Sequence, residues 1–284
     1  GFAISLHGTG GSIGEMFGPF IVGLLTTETF KVGSIITMTY LIAFEWNEVL
    51  RISVLPALIF ALVVYMMMRG VSKDAPKAES FAEYFGGLRE LLKDKGIWGL
   101  ILVTGLSDMG QSSIMYFLPL YLITAVGEGG LAKDPLTVGV FLAGAQVAGI
   151  IGQPVLGLLS DKCGRKIVLL PSMTILGISF IGLYYASDGY QLVLNIFVMG
   201  AFLYSLHTVF ISAAMDVSGG KSQPTVVSLI YGASLLGTVS PIFTGMLIDE
   251  FGIKSAFLFS GIICLIATML LLWVKLPMNV GIAD

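Results

Sequence analysis

The chain is a succession of long apolar runs separated by short polar clusters. Crossing the hydrocarbon core of a bilayer as a helix takes about 20 predominantly apolar residues. Runs of that kind fall at 2–25, 47–68, 97–124, 136–159, 167–187, 190–215, 224–247 and 254–274. Lipid offers the backbone no hydrogen bonds, so a lone segment of this length satisfies itself as a helix. The pattern predicts an all-α integral membrane protein of about eight transmembrane helices. The stretch 32–44, about 13 residues, is too short to cross alone and reads as an extended loop or a helix overhang. The segment 69–96 is the longest polar one. Its second half sets Phe81, Tyr84, Phe85, Leu88, Leu91 and Leu92 at helical spacing among Glu83, Arg89, Glu90 and Lys93, which predicts an amphipathic helix lying on a membrane face.

Composition agrees with lipid as the solvent: 56% of residues are hydrophobic and 12% charged, against about 25% charged in soluble domains. A net charge of −3 leaves no nucleic-acid footprint. Cys163 and Cys264 give neither a disulfide framework nor a metal-ligand spacing. No G-x-x-x-x-G-K-[ST] phosphate loop occurs, and no cofactor is expected. An intramembrane enzyme would need converging nucleophiles or metal ligands; His7 and His207 are far apart and belong to no such motif. The chain therefore does not read as an enzyme.

Basic residues set the expected orientation. If 69–96 is cytoplasmic, Arg69, Lys73, Lys77, Arg89, Lys93, Lys95, Lys162, Arg165, Lys166, Lys221 and Lys275 lie inside, leaving Lys31, Arg51, Lys133 and Lys254 outside. The expectation is a multi-pass protein of the cell (inner or plasma) membrane with its C-terminus in the cytoplasm.

The first and seventh runs resemble each other at constant offset. Gly10-Gly11-Ser12-Ile13, Pro19, Gly23 and Leu25 match Gly232-Ala233-Ser234-Leu235, Pro241, Gly245 and Leu247. Parallel repeats of this sort mark transporters built from two bundles. Matching helices must run the same way, which argues against a further span in 32–44. The offset implies six helices per repeat, so four are expected to precede Gly1. The chain, which opens without an initiator Met inside an apolar run, is expected to be N-terminally truncated.

Between the fourth and fifth runs lies Gly157-Leu158-Leu159-Ser160-Asp161-Lys162-Cys163-Gly164-Arg165-Lys166. Asp161 at a helix C-terminus and Arg165 and Lys166 at the next N-terminus each oppose their helix dipole. Such charges persist if they pair with one another or with a neighbouring helix end. Gly164 suits a tight turn and Gly157 a close helix approach. The stretch resembles the G-x-L-x-D-[RK]-x-G-R-[RK] signature of the major facilitator superfamily, in its C-terminal-half copy. Tyr116-Phe117-Leu118-Pro119-Leu120-Tyr121 and Gly245-x-Leu247-x-Asp249-x-x-Gly252 extend the resemblance. The resemblance implies that the eight runs are helices five to twelve of twelve. It divides the chain into 1–68 (the end of an N-terminal bundle), 69–96 (a cytoplasmic linker) and 97–284 (a C-terminal six-helix bundle). It also implies that Gly157, Asp161, Lys162, Gly164, Arg165 and Lys166 form a conformational-switch loop. The first run resembles the family's antiporter-associated pattern through Gly14, Gly18, Pro19 and Gly23, with Ser5 in place of the first Gly and Val22 in place of one of the last pair.

Ionisable groups deep in a bilayer are costly and mark functional sites. Asp108 lies about 12 residues into its run, roughly 17 Å deep at 1.5 Å per residue, with Gln111 and Ser112 a turn later. Glu15 is at similar depth. Asp108, Glu15, Gln111, His207 and Gln146 are the candidate substrate- and proton-coupling residues; Gln153 and Asn195 are weaker ones, and Asp216 is expected to be solvated. The expected function is secondary active transport of a small solute by alternating access, with proton-coupled antiport or efflux ahead of symport or facilitated uptake. A non-transporting membrane receptor of the same fold is the other class. The expected partners are a small-molecule solute, protons and the lipid bilayer, with a monomeric chain.

Overall fold

The structure, a computed structural model, describes residues 2–27, 29–32, 36–39, 44–69, 81–219 and 223–276. Lys73, Lys77 and Lys221 of the orientation argument, and residues 70–80 of the expected linker, lie outside the described residues. The element order is α1 (Phe2–Thr26), β1 (Thr29–Val32), β2 (Ile36–Thr39), α2 (Trp46–Met68), α3 (Phe81–Leu91), α4 (Lys95–Ile123), α5 (Pro135–Cys163), α6 (Arg165–Tyr185), α7 (Tyr190–Leu203), α8 (Leu206–Val217), α9 (Gln223–Ala233), α10 (Leu235–Phe251) and α11 (Ser255–Trp273).

Local chemistry explains the helix ends. Asp94 caps α4 by accepting from the Gly96 amide at 2.6 Å. Asp134 caps α5 by accepting from the Thr137 amide at 2.9 Å, with Pro135 following it at the helix start. A single residue, Gly164, turns the chain from α5 into α6 at φ +98°, where a side chain would be strained.

Six helical stretches among the described residues are long and apolar enough to cross a membrane: Trp46–Met68, Pro135–Cys163, Arg165–Tyr185, Tyr190–Val217, Gln223–Phe251 and Ser255–Trp273. The expected spans α1 and α4, of 25 and 29 residues, have the length but carry their polar side chains near mid-helix. The fold is an all-α membrane bundle with one small addition. At the start of the stretch expected to be a loop or helix overhang, β1 and β2 pair antiparallel, with Thr29 opposite Thr39 and Val32 opposite Ile36. Their β-branched residues favour strands over helix. The amphipathic helix is present as α3, with Leu91 buried in the core.

Two expected continuous spans are broken. Between α7 and α8 the Ser205 amide turns to the Phe202 carbonyl, three residues back (3.1 Å), and the Ser205 hydroxyl takes the Ala201 carbonyl (2.6 Å). Between α9 and α10 the Ser234 amide reaches Tyr231 O (3.2 Å) and the Gly237 amide reaches Ser234 O (2.9 Å). Each break is one tightened 3-10 turn, a feature frequent at hinges.

Helices in lipid associate through close packing, because a lipid tail is as apolar as a leucine. The α1–α5 contact illustrates this. A Cβ on Gly139 would lie 2.5 Å from the Pro19 carbonyl oxygen, and one on Gly23 2.6 Å from that of Pro135. On the other side of the bundle α4 packs against α8, α9, α10 and α11, and α6 against α7 and α11. Tyr121 of α4 meets Phe257 of α11 edge-on, their rings 5.1 Å apart. Helix α2 stands beside α1 with only Val49 buried among its described residues.

Gly139→Leu in the full-length protein should lower stability by about 1–3 kcal/mol, because the backbones must separate. Gly127→Ala, where an added Cβ meets nothing within 4 Å, should be neutral. Thermal unfolding in detergent reads both, and equal melting temperatures for Gly139→Leu and wild type would contradict the packing account.

Candidate functional site

The two helix breaks open onto one cavity of about 750 Å³. Helix α1 lines it with His7, Ser12 and Glu15, and α4 with Asp108, Gln111, Ser112 and Met115. Gln153 of α5, Tyr204 at the first break, His207 and Thr208 of α8, Tyr231 of α9 and Ser234 at the second break close it.

Asp108, near the middle of α4, is buried. The Ser234 hydroxyl donates to its Oδ2, and Gln111 Nε2 lies 3.4 Å from its Oδ1 while donating to Ser107 Oγ at 3.0 Å. The carboxylate is thus tied directly to the residue that starts α10. Close contact enforces this: a Cβ on Gly237 would lie 2.9 Å from the Asp108 carbonyl oxygen.

The internal repeat reappears in this geometry. Ser12, the counterpart of Ser234, accepts from Gln153 Nε2 at 2.6 Å. The same Gln153 amide also donates to the Tyr204 carbonyl at 3.0 Å, satisfying backbone at the first break. Glu15 lines the same cavity from α1 rather than α4, and Gln146 Nε2 donates to its Oε2 at 3.0 Å.

The structure therefore brings Asp108, Glu15, Gln111 and His207 to one cavity. Gln146 is buried and reaches it through Glu15, and is not a lining residue. Asn195 lies elsewhere, donating to the Ser179 carbonyl at 3.0 Å. The His207 ring packs against Tyr231 with centroids 4.8 Å apart, and its Nε2 has no partner among the described residues. Sequence reading missed Ser234, Tyr231, Thr208 and Met115. The alignment of Ser234 with Ser12 was a usable signal for the first; the other three carry none, since apolar and hydroxyl residues are common throughout the spans. No Lys or Arg lines the cavity among the described residues, and no group of three metal-binding side chains occurs among them.

The Pro19 region departs from expectation in part. Gly23 packs closely against the start of α5. A Cβ on Gly14 or Gly18 would meet nothing within 4 Å, because both lie on the exposed face of α1, away from α5. Ser5, which replaces the pattern's first glycine, is buried with its hydroxyl 3.2 Å from that of Thr208. Gly157 makes room for it: a Cβ there would stand 2.5 Å from Ser5 Oγ.

At one end of the bundle the charged loop closes a network. Arg165 is only 3% exposed and donates through Nε to Asp216 (2.7 Å) and through Nη1 to Ser160 Oγ (2.7 Å) and to Asp161. Asp161 also accepts from the Phe2 amide at the start of α1 (2.8 Å). Lys166 Nζ binds the Leu272 and Val274 carbonyls at the end of α11, at 2.7 and 2.8 Å. Every charge that opposes its own dipole is thus paired or placed at the favourable end of another helix. Asp216, expected to be solvated, is instead the second carboxylate of a buried arginine; nothing in its local sequence distinguishes it, because Arg165 is distant in the chain. Lys162 is an exposed neighbour.

Arg165→Ala removes the guanidinium that Asp161 and Asp216 share and should cost about 1–3 kcal/mol. Arg165→Lys should recover part of that, since one ammonium cannot span both acids as a guanidinium does. Melting temperatures in detergent check the order wild type, Lys, Ala.

Comparison with known proteins follows the same lines. A family model described as the Major Facilitator Superfamily matches residues 129–282. The chain is 29% identical over 169 residues to the class H tetracycline resistance protein of Pasteurella multocida, covering 60% of this chain and 41% of that protein. It is 29% identical over 179 residues to the multidrug resistance protein MdtG of Proteus mirabilis, covering 61% of this chain and 43% of that one. The chain thus spans less than half the length of these relatives. Among solved structures, the fucose:proton symporter FucP of E. coli superposes with a TM-score of 0.62 at 17% identity, covering 80% of this chain and 56% of that one.

Proposed function

The chain belongs to the Major Facilitator Superfamily, and on that footing we propose that it forms part of a secondary transporter that expels a small solute in exchange for protons. The observation that carries the reading is the shared cavity: two carboxylates, Glu15 and Asp108, on different helices, with hydroxyl and amide partners and no lining Lys or Arg among the described residues. A carboxylate in such a place can hold a proton or a cationic group but not both, which is the exclusion an antiporter needs. The missing basic lining favours a neutral, amphipathic or cationic solute over a polyanion. The relatives' names, tetracycline resistance and multidrug resistance, support export. Gly14, Gly18, Pro19 and Gly23 support it through the antiporter-associated pattern, with Ser5 and Val22 as departures.

In this reading Asp108 is the coupling residue. Its protonation weakens the charge-assisted bond from Ser234 and so alters the α9–α10 break beside it. The loop from Gly157 to Lys166 is the switch at the charged end, engaged in the described conformation by Asp161, Arg165 and Asp216. The division into 1–68, 69–96 and 97–284, and a cytoplasmic C-terminus in the inner or plasma membrane, complete the proposal.

Proteoliposomes of the full-length protein test it. An imposed pH gradient should drive movement of a cationic dye, and Asp108→Asn should abolish that drive while leaving solute–solute exchange. A wild-type response to the gradient in Asp108→Asn would remove its coupling role. No solute movement by wild-type protein under any gradient would favour the receptor class instead.

A further inference from the structure

A second cavity, of about 700 Å³, lies at the charged-loop end between the first turn of α4 and the end of α11. It is unrelated to the central site. It is lined by the apolar Leu102, Leu270 and Val274 with Gly99, and by Lys95, Lys275 and Trp273. An apolar groove lined by Ile262, Leu265, Ile266 and Met269 shares Leu270 and Trp273 with it, so the two run on along the outer face of α11.

We propose that this is a binding site for an anionic phospholipid, whose headgroup phosphate lies between Lys95 and Lys275 and whose acyl chain follows the α11 groove. Three observations converge. Both lysines are exposed and neither makes an ion pair or hydrogen bond among the described residues. The one acid in the lining, Asp94, is occupied as the cap of α4, accepting from the Gly96 and Ile97 amides, so the helix N-terminus offsets its charge. Trp273, 85% exposed at the junction of the polar and apolar parts, has the amphipathic ring that favours the headgroup level. The pocket therefore presents positive charge, interfacial aromatic and apolar groove in the order in which a phospholipid presents phosphate, glycerol and chain. Basic pockets between membrane helices bind anionic headgroups in this way. A free phosphate would use the lysines but not the groove.

Native mass spectrometry of the full-length protein, titrated in detergent with phosphatidylglycerol or phosphatidylcholine of identical chains, tests the site. Wild type should retain phosphatidylglycerol preferentially. The double variant Lys95→Gln/Lys275→Gln should lose on the order of tenfold in apparent affinity for it, with phosphatidylcholine binding unchanged. Lys95→Arg/Lys275→Arg should restore retention. The preference of the unmodified protein should also fall as ionic strength rises, a readout that needs no variant to fold. Equal retention of the two lipids by wild type, or undiminished phosphatidylglycerol binding in the double Gln variant, would overturn the proposal. Displacement by inorganic phosphate alone at matched concentration would do so too, by showing that the groove contributes nothing.

Discussion

Within a bilayer a polar group has no water to fall back on, so most of the buried polar side chains described in this bundle find a partner in the protein. That requirement organises the structure at three depths. At the charged end it gathers Asp161, Asp216 and Ser160 around one buried guanidinium and sends Lys166 to the carbonyls that end α11. At mid-depth it ties Asp108 to Ser234 and Gln153 to Ser12 and the Tyr204 carbonyl. Between α4 and α10 it zips Ser113 to Ser240 and Thr244, at 2.5 and 2.7 Å. Apart from the bonds of Arg165 to Asp161 and Ser160 across the Gly164 turn, these contacts join helices distant in sequence, so satisfying hydrogen bonds and choosing helix neighbours are one problem.

Close packing makes those bonds possible. The glycines at 23, 139, 157 and 237 let backbones approach until a short hydroxyl can reach across, and Ser5 shows the trade directly. It fills the space that the antiporter-like pattern gives to glycine, and Gly157 supplies the space in its stead. The helix breaks extend the same logic. At the first break the Gln153 side chain meets the Tyr204 carbonyl, and at the second Asp108 accepts from the Ser234 hydroxyl, both at the cavity. Non-helical backbone at membrane depth is tolerated where it lines a cavity, and both breaks do so.

The long helices, the amphipathic α3 and the turn at Gly164 were readable from the sequence, because length, apolar period and a lone glycine between charges are local signals. The sites of the breaks were not. Hydropathy does not change across Tyr204-Ser205 or Ser234, neither segment has a proline there, and α1, which shares the repeat, stays continuous through Ser12. The hairpin around Thr29 and Thr39 could have been suspected from β-branched residues flanking Gly33-Ser34. In the site, the carboxylates were legible because a charge in an apolar run stands out. Their partners were less so: Ser234 was signalled only by its alignment with Ser12, and a loop acid such as Asp216 acquires meaning only when folding brings it to Arg165.

The central claim is that one cavity, holding Glu15 and Asp108, faces the two sides of the membrane in turn. A single cysteine at Ser112, which lines that cavity, in an otherwise cysteine-free full-length protein reports on it directly. Labelling by a membrane-impermeant thiol reagent in right-side-out and inside-out vesicles should occur from both faces, with the ratio shifting as pH changes. Labelling from one face only, at every pH and with or without solute, would contradict alternating access.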